Sequence, residues 1–235
     1  MKKIYTPIVI LAILFAASIT SCSKSNDAPL EGKATVQFVN ASQAGSINFY
    51  ADGNMVYENL GYPSQSSTTN IMSAGDHSFS VSAWRSTAII GSGNYTLSGN
   101  NFYSVFLIDS LTHPKIVPIV SDPNASPIDN DGKLRIFNFS PNSPSVDIKV
   151  TNQSFITVSD FILRNRTFND QGADAEKLSF KDMVAGPYRI EVYTAGTNNL
   201  LFSHDITIIK ARNYTLYLAG SFGTSNLILG SVTHN

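Results

Sequence analysis

The chain has 235 residues with 16 basic and 17 acidic side chains, and only 14% of it is charged, against about 25% in an ordinary globular domain. The near-neutral balance excludes the basic face that nucleic acid requires, and 14 Phe with 10 Tyr supply a core that a disordered chain lacks. A single cysteine excludes a disulfide framework and a multi-thiolate metal site.

In chain order, residues 1–21 have the zones of a bacterial export signal. Lys2 and Lys3 give the positive start, and Ile8 to Ala17 form an apolar run shorter than the roughly 20 residues of a membrane span. Ile19-Thr20-Ser21-Cys22 resembles a lipobox, in which the cysteine thiol is acylated and the chain is cut just before it. The expectation is a palmitate-type lipid anchor at Cys22, a flexible tether over 22–32, and no membrane span in the body. Ser23 suits passage to the outer membrane. The tether holds only Asp27 and Glu31 as acids, so periplasmic and surface exposure both stay open.

After the tether the sequence repeats itself. Val36 to Ser42 (VQFVNAS) matches Leu134 to Ser140 (LRIFNFS) at an offset of 98, and Ser46-Ile47-Asn48-Phe49 matches Ser145-Val146-Asp147-Ile148 at 99. Ala74 to Val81 matches Ala185 to Val192, and Tyr103 to Leu107 matches Tyr214 to Leu218, both at 111. Preserved order with small insertions is the mark of duplication. Each copy is a string of short alternating runs broken by turns. Phe79, Val81 and Ala83 fall on one face of such a run, with Ser78, Ser80, Ser82 and Trp84 on the other. Ala51-Asp52-Gly53-Asn54 reads as a hairpin turn. Burying one face of every strand predicts an all-β chain of two tandem antiparallel β-sandwich domains, at 33–121 and 133–235. The Pro-containing stretch 122–132 reads as a linker, and each domain is expected to fold alone. The second copy carries 12 extra residues, assigned to a loop within Thr167 to Lys177.

The openings ATVQFVNAS and GKLRIFNFSPNSPSVDI, each followed by an Ala-Gly turn and a late Tyr-rich strand, resemble the bacterial family called domain of unknown function 4397. The second copy, with Ser140 to Asp147, is the closer match, and the two copies together cover nearly all of 33–235. The resemblance implies an immunoglobulin-like sandwich on secreted or lipid-anchored proteins, often of Bacteroidetes type. It implies no activity and carries no catalytic residues.

Signals for chemistry are sparse. His77, His113, His204 and His234 form no ligand pair at short spacing, no Gly-x-Ser-x-Gly elbow is present, and no Gly-rich segment opens a helix. No cofactor and no metal are expected. Asp122 with Asp129-Asn130-Asp131-Gly132 is the one place where clustered oxygens would suit calcium, but Pro127 stands where an EF-hand loop needs its first acid, and turn-forming linker residues are the favoured explanation. Trp84, with Arg85 beside it, falls on the outer face as a possible ligand contact, since exposed Trp and Arg are common in binding hot spots. Ser110, in Asp109-Ser110-Leu111, fits a short O-glycosylation pattern. If Trp84 belongs to the core, the loop around Asn169 to Glu176 is the remaining candidate. The sequence thus points to a non-enzymatic outer-membrane lipoprotein acting as a binding or adhesion module for a glycan or a surface protein. The alternatives are a structural or anchoring subunit of a fimbria-like assembly and a glycan hydrolase with a carboxylate pair assembled in space.

Overall fold

Each copy's alternating runs become strands that bury one face, and the two copies fold alike. The computed structural model describes residues 32–109, 112–121, 131–154, 161–222 and 227–234. The first copy contributes β1 (Lys33–Asn40), β2 (Ile47–Ala51), β3 (Asn54–Leu60), β4 (Ser64–Gln65), β5 (Asn70–Ser73), β6 (Gly75–Ala83), β7 (Ile89–Leu97), β8 (Phe102–Ile108) and β9 (Lys115–Ser121). The second contributes β10 (Asp131–Asn138), β11 (Val146–Asn152), β12 (Phe161–Arg166), β13 (Lys181–Val184), β14 (Gly186–Thr194), β15 (Leu200–Ile208), β16 (Asn213–Ala219) and β17 (Ile228–His234). Between β12 and β13 lie a 3-10 turn, Asp170–Gly172, and a single helical turn, α1 (Ala175–Leu178).

One sheet of the first copy runs β3-β2-β6-β7, and the other runs β4-β1-β8-β9 with β5 also on β1. The second copy repeats both, as β12-β11-β14-β15 and β13-β10-β16-β17. Most pairings are antiparallel as expected, but β1 is parallel to β8 and β10 to β16. After β1 the chain lays β2 and β3 in the opposite sheet, returns for β4 and β5 against β1, adds β6 and β7 to the opposite sheet, and comes back to lay β8 beside β1 in the same sense. The expected linker also ends early, because Asp131 and Gly132 already pair with Val184 and Met183 at the start of β10. Its residues 122–130 lie outside the described residues.

Recurring local devices explain the repeat. Asp52 and Gly53 take φ of 51° and 77° in the β2–β3 hairpin, the mirror-image turn whose twist suits paired strands. Asn40 and Asn138 are fully buried. Each side-chain oxygen accepts the N–H of the serine two residues on, at 3.1 Å and 3.0 Å. Those serines, Ser42 and Ser140, donate to the carbonyls of Asp109 and Gly220. The shared Asn-x-Ser is therefore an architectural staple that ties the end of the first strand to the strand that returns beside it. Asn48 and Asp147 likewise accept the N–H of the positive-φ residues Asn59 and Asn165 across a β-bulge.

Three apolar cores result. Val36, Phe38, Phe49, Phe79, Val81 and Val105 fill the first sandwich, with Phe38 and Phe49 stacked at 4.7 Å. Leu134, Ile136, Ile148, Ile190, Val192 and Leu216 fill the second. The third core joins them, because Val39, Phe106 and Ile119 from β1, β8 and β9 pack against Phe137, Phe139, Tyr217 and Val232 of the second copy. Phe106 meets Phe139 at 5.1 Å and Tyr217 at 5.5 Å. The protein is a stack of four sheets in which the two inner sheets are buried on both faces.

Candidate functional site

The third core ends in a polar knot around Arg135. In β10, Leu134 and Ile136 point into the second sandwich, so alternation aims Arg135 at the first. Its Nε donates to the Thr215 hydroxyl at 2.8 Å, Nη1 to the Val120 carbonyl at 3.0 Å, and Nη2 to the Ser121 hydroxyl at 3.0 Å. Nη1 also reaches the Leu178 carbonyl at 3.4 Å. The guanidinium lies 4.3 Å from the Phe180 ring. All these acceptors are neutral, and Arg135 makes no ion pair with a carboxylate among the described residues. Burial pulls its pKa down to about 9, which leaves the group charged at neutral pH.

His234 completes the knot. Its Nε2 lies 2.9 Å from the Thr215 hydroxyl and 3.4 Å from that of Ser121. A serine beside a histidine invites a nucleophilic reading. Burial, then the charge of Arg135, push this imidazole down to about 3, so it takes no proton near pH 7. Its Nδ1 is buried with no hydrogen-bond partner among the described residues, so none of their acids orients the ring as a triad requires. The pair is structural.

Next to the knot runs a groove along the free edge of β9. One part, of about 620 Å³, is lined by Val117 to Val120 on one side and Gln171, Gly172 and Leu178 to Phe180 on the other, with Lys133 and Arg135 between. A second part, of about 400 Å³, shares Val117, Pro118, Gln171 and Gly172 and continues past Lys115, Tyr95 and Tyr103. Tyr95 folds across Gly93, where any Cβ would collide with the ring, so that its hydroxyl donates to the Ile116 carbonyl at 2.6 Å. No acidic side chain lines either part.

The far wall is the segment between β12 and β13. The 12-residue excess, which the sequence placed between Thr167 and Lys177, is divided: Val146 pairs with Arg166 as Ile47 pairs with Leu60, so seven of the extra residues fall between β11 and β12, where 155–160 lie outside the described residues, and five fall between Arg166 and Lys181. A buried carboxylate holds it in place. Asp170 accepts from Arg166 Nε at 3.0 Å and Nη2 at 2.9 Å, from the Thr167 N–H at 3.1 Å, and pairs with Lys177 at 3.0 Å. Burial opposes the charge on Asp170, but the hydrogen bonds from Arg166 and Lys177 outweigh it and hold its pKa below the usual carboxylate value. Arg166 Nη1 donates onward to the Ile136 carbonyl at 2.9 Å, clipping the wall to β10. Asp174 and Glu176 are both engaged, as helix cap and as partner of Lys181.

The residues singled out from sequence lie elsewhere. Trp84 is 37% exposed, at the turn after β6. Arg85, in the left-handed region at φ 62°, lays its guanidinium 4.0 Å over the Trp84 ring. Neither lines the groove. Cys22 and Ser110 lie outside the described residues, as do Asp122 and Asp129. Among the described residues no three His, Cys, Asp or Glu side chains gather as a metal site. No described helix is long and apolar enough to cross a membrane. Arg135, Lys133 and Phe180 were missed. The available signal was the repeat itself, since Arg135 stands where the first copy has Gln37.

Comparison with known proteins settles the family. Residues 34–149 match the profile of the domain of unknown function DUF4397. Over these residues the chain is a DUF4397-type protein. The matched stretch covers the first sandwich and the opening strands of the second, and so does not favour the second copy as its sequence led one to expect. No curated protein matches. Among solved structures, the TIE protein of Bacillus anthracis is 11% identical with a TM-score of 0.25, covering 79% of this chain and 33% of its own. This DUF4397 chain thus spans about a third of that protein. A streptococcal virulence factor whose structure is titled for alpha-glucan binding is 7% identical, covering 83% and 95%, TM-score 0.26. A putative cell adhesion protein of Bacteroides fragilis is 10% identical, covering 86% and 98%, TM-score 0.23. At these TM-scores nothing is carried over from them.

Proposed function

We propose that this DUF4397-type chain is a non-catalytic binding module of the cell envelope, held to the outer membrane by a lipid on Cys22 and taking its ligand in the groove beside β9. The observation that carries the reading is the wall between Thr167 and Phe180. It is longer than its counterpart in the first copy and takes the place of β4, it is fixed by a buried ion pair, and it encloses a hollow within the usual size range of ligand pockets. Burial and the charge of Arg135 leave the His234 imidazole at its base only weakly basic, and the lining presents apolar and cationic side chains, an arrangement suited to holding a ligand.

The test uses the chain from Ser23 to Asn235 on a glycan array and against an envelope lipid extract, with Phe180→Ala and Trp84→Ala beside wild type. Binding lost with Phe180→Ala and kept with Trp84→Ala supports the groove. The opposite pattern moves the site to the Trp84–Arg85 turn. For the anchor, Cys22→Ala should abolish labelling by a palmitate analogue and release the protein from membranes, and persistent labelling would overturn it.

A further inference from the structure

The groove's own chemistry narrows what it takes, given the reading of it as the ligand site. Its walls are apolar, with Val117, Pro118, Ile119 and Val120 facing Leu178 and Phe180. Its charged lining residues are Lys115, Lys133 and Arg135, all cationic. This stands out in a chain with one more acid than base. Lys133 has only a 3.8 Å contact to an exposed Asp182, and Arg135 spends its donors on neutral oxygens. A single-sign lining over low-dielectric walls attracts the opposite charge.

The edge of β9 tells against an extended peptide. The residues whose backbone faces the groove are Ile116, Pro118 and Val120, since the carbonyls of Ile116 and Val120 are already taken by Tyr95 and Arg135. Pro118, between them, has no N–H to give. An added strand would find two of three acceptors occupied and a donor missing, so β-augmentation is blocked along this edge. A neutral glycan would leave the cations of the lining without a counter-charge and set its hydroxyls against the apolar wall of Val117 to Val120, Leu178 and Phe180. What fits is an apolar chain that needs no ladder and carries one negative charge.

We propose that the groove binds the chain of a long-chain carboxylate, a fatty acid, laid along β9 between the 171–180 wall and the strand edge, with its carboxylate at the Lys133 and Arg135 end of the groove. The probe is 11-(dansylamino)undecanoate on the chain from Ser23 to Asn235, displaced by decanoate or by 1-decanol, which has the same chain length without the charge. Decanoate should displace it at a concentration at least tenfold lower than decanol. Phe180→Ala should abolish probe binding. Lys133→Met, at a partly exposed position, should bring decanoate to the level of decanol with the fold intact by circular dichroism, whereas Lys115→Met, in the far part of the groove, should leave the preference for decanoate. Equal displacement by the two in wild type would overturn the carboxylate while leaving an apolar groove. No probe binding at all would overturn the fatty-acid proposal, and the glycan array would then decide by itself whether the chain binds through this groove.

Discussion

The two copies meet the same structural demand in different ways at one strand position. In the first, the Phe38 carbonyl on the edge of β1 accepts the Ser66 N–H, and β4 continues the edge. In the second, the equivalent Ile136 carbonyl on β10 accepts the Arg166 guanidinium, which Asp170 holds at 2.9 Å. A backbone partner commits its segment to the sheet. A side-chain clip satisfies the same carbonyl and frees the following residues for another use. The excursion between Thr167 and Phe180 uses that freedom to wall the groove, so the difference between the copies coincides with the candidate site.

The sharpest way to break this picture is through what the copies share. Phe106 is fully buried in the third core, and Phe106→Ala should cost about 3–5 kcal/mol by chemical denaturation. A loss below about 1 kcal/mol would mean that the two inner sheets do not pack as described. The clip comes next. Asp170→Ala leaves Arg166, only 3% exposed, without its carboxylate, and should cost about 3 kcal/mol. It should also raise hydrogen exchange across 167–180 while β4 and β5 stay protected. Because the folded-state pKa of Asp170 is depressed, its contribution is present above the unfolded carboxylate value and is lost as pH falls through the folded one.

Much of the fold was legible because the duplication preserved strand spacing. β5, β6, β7 and β8 recur 111 residues later as β13, β14, β15 and β16. The Asp52-Gly53 turn and the alternation through Phe79 and Val81 follow from φ preference and period two. The third core was less visible, because alternation marks one buried face and does not say that the other meets a second sandwich. A hint lay in the unbroken run Tyr103 to Ile108, every residue of which is buried, since strands covered on both faces lose their alternation. The groove was half legible. Only five of the twelve excess residues fall in its wall, the other seven lying between β11 and β12, and β9 and β10 face each other only after the two copies pack. Arg135, a charged residue in an apolar strand, gave no sign of its neutral acceptors.

A smaller effect separates the copies at the hairpin end of β6. His77 lies between two acceptors, the Asp52 carboxylate 2.7 Å from Nδ1 and the Ser73 carbonyl 2.8 Å from Nε2, and donates to both when the ring carries two protons. Its counterpart Tyr188 donates to the Val184 carbonyl. Burial lowers the His77 pKa, but the hydrogen bonds to Asp52 and Ser73 and the nearby acids outweigh it, and the net shift is upward. A raised folded value gives stability that is complete below the unfolded pKa of about 6.5 and is lost as pH rises through the folded one. The denaturation midpoint should therefore fall between pH 6 and pH 8, and His77→Gln should remove that slope. An unchanged slope in the variant would place the titrating group elsewhere. Smallest of all, Trp84→Ala should cost about 0.5–1 kcal/mol, the scale of an exposed cation–π contact. A loss of 3 kcal/mol or more would make Trp84 a core residue.

The central claim is that the third core fuses the two sandwiches into one folding unit, against the expectation that each folds alone. Separated, either copy would expose its share of Phe106, Phe137, Phe139 and Tyr217 to water, at about 1.5–3 kcal/mol for each large side chain. Trp84 is the only tryptophan and lies in the first copy, so its fluorescence reports that copy, whereas far-ultraviolet circular dichroism reports both. Equilibrium urea unfolding of the chain from Ser23 to Asn235, followed by both signals, should give coincident transitions with one midpoint and one slope. A fluorescence transition displaced from a biphasic dichroism curve would show two independent sandwiches and contradict the shared core.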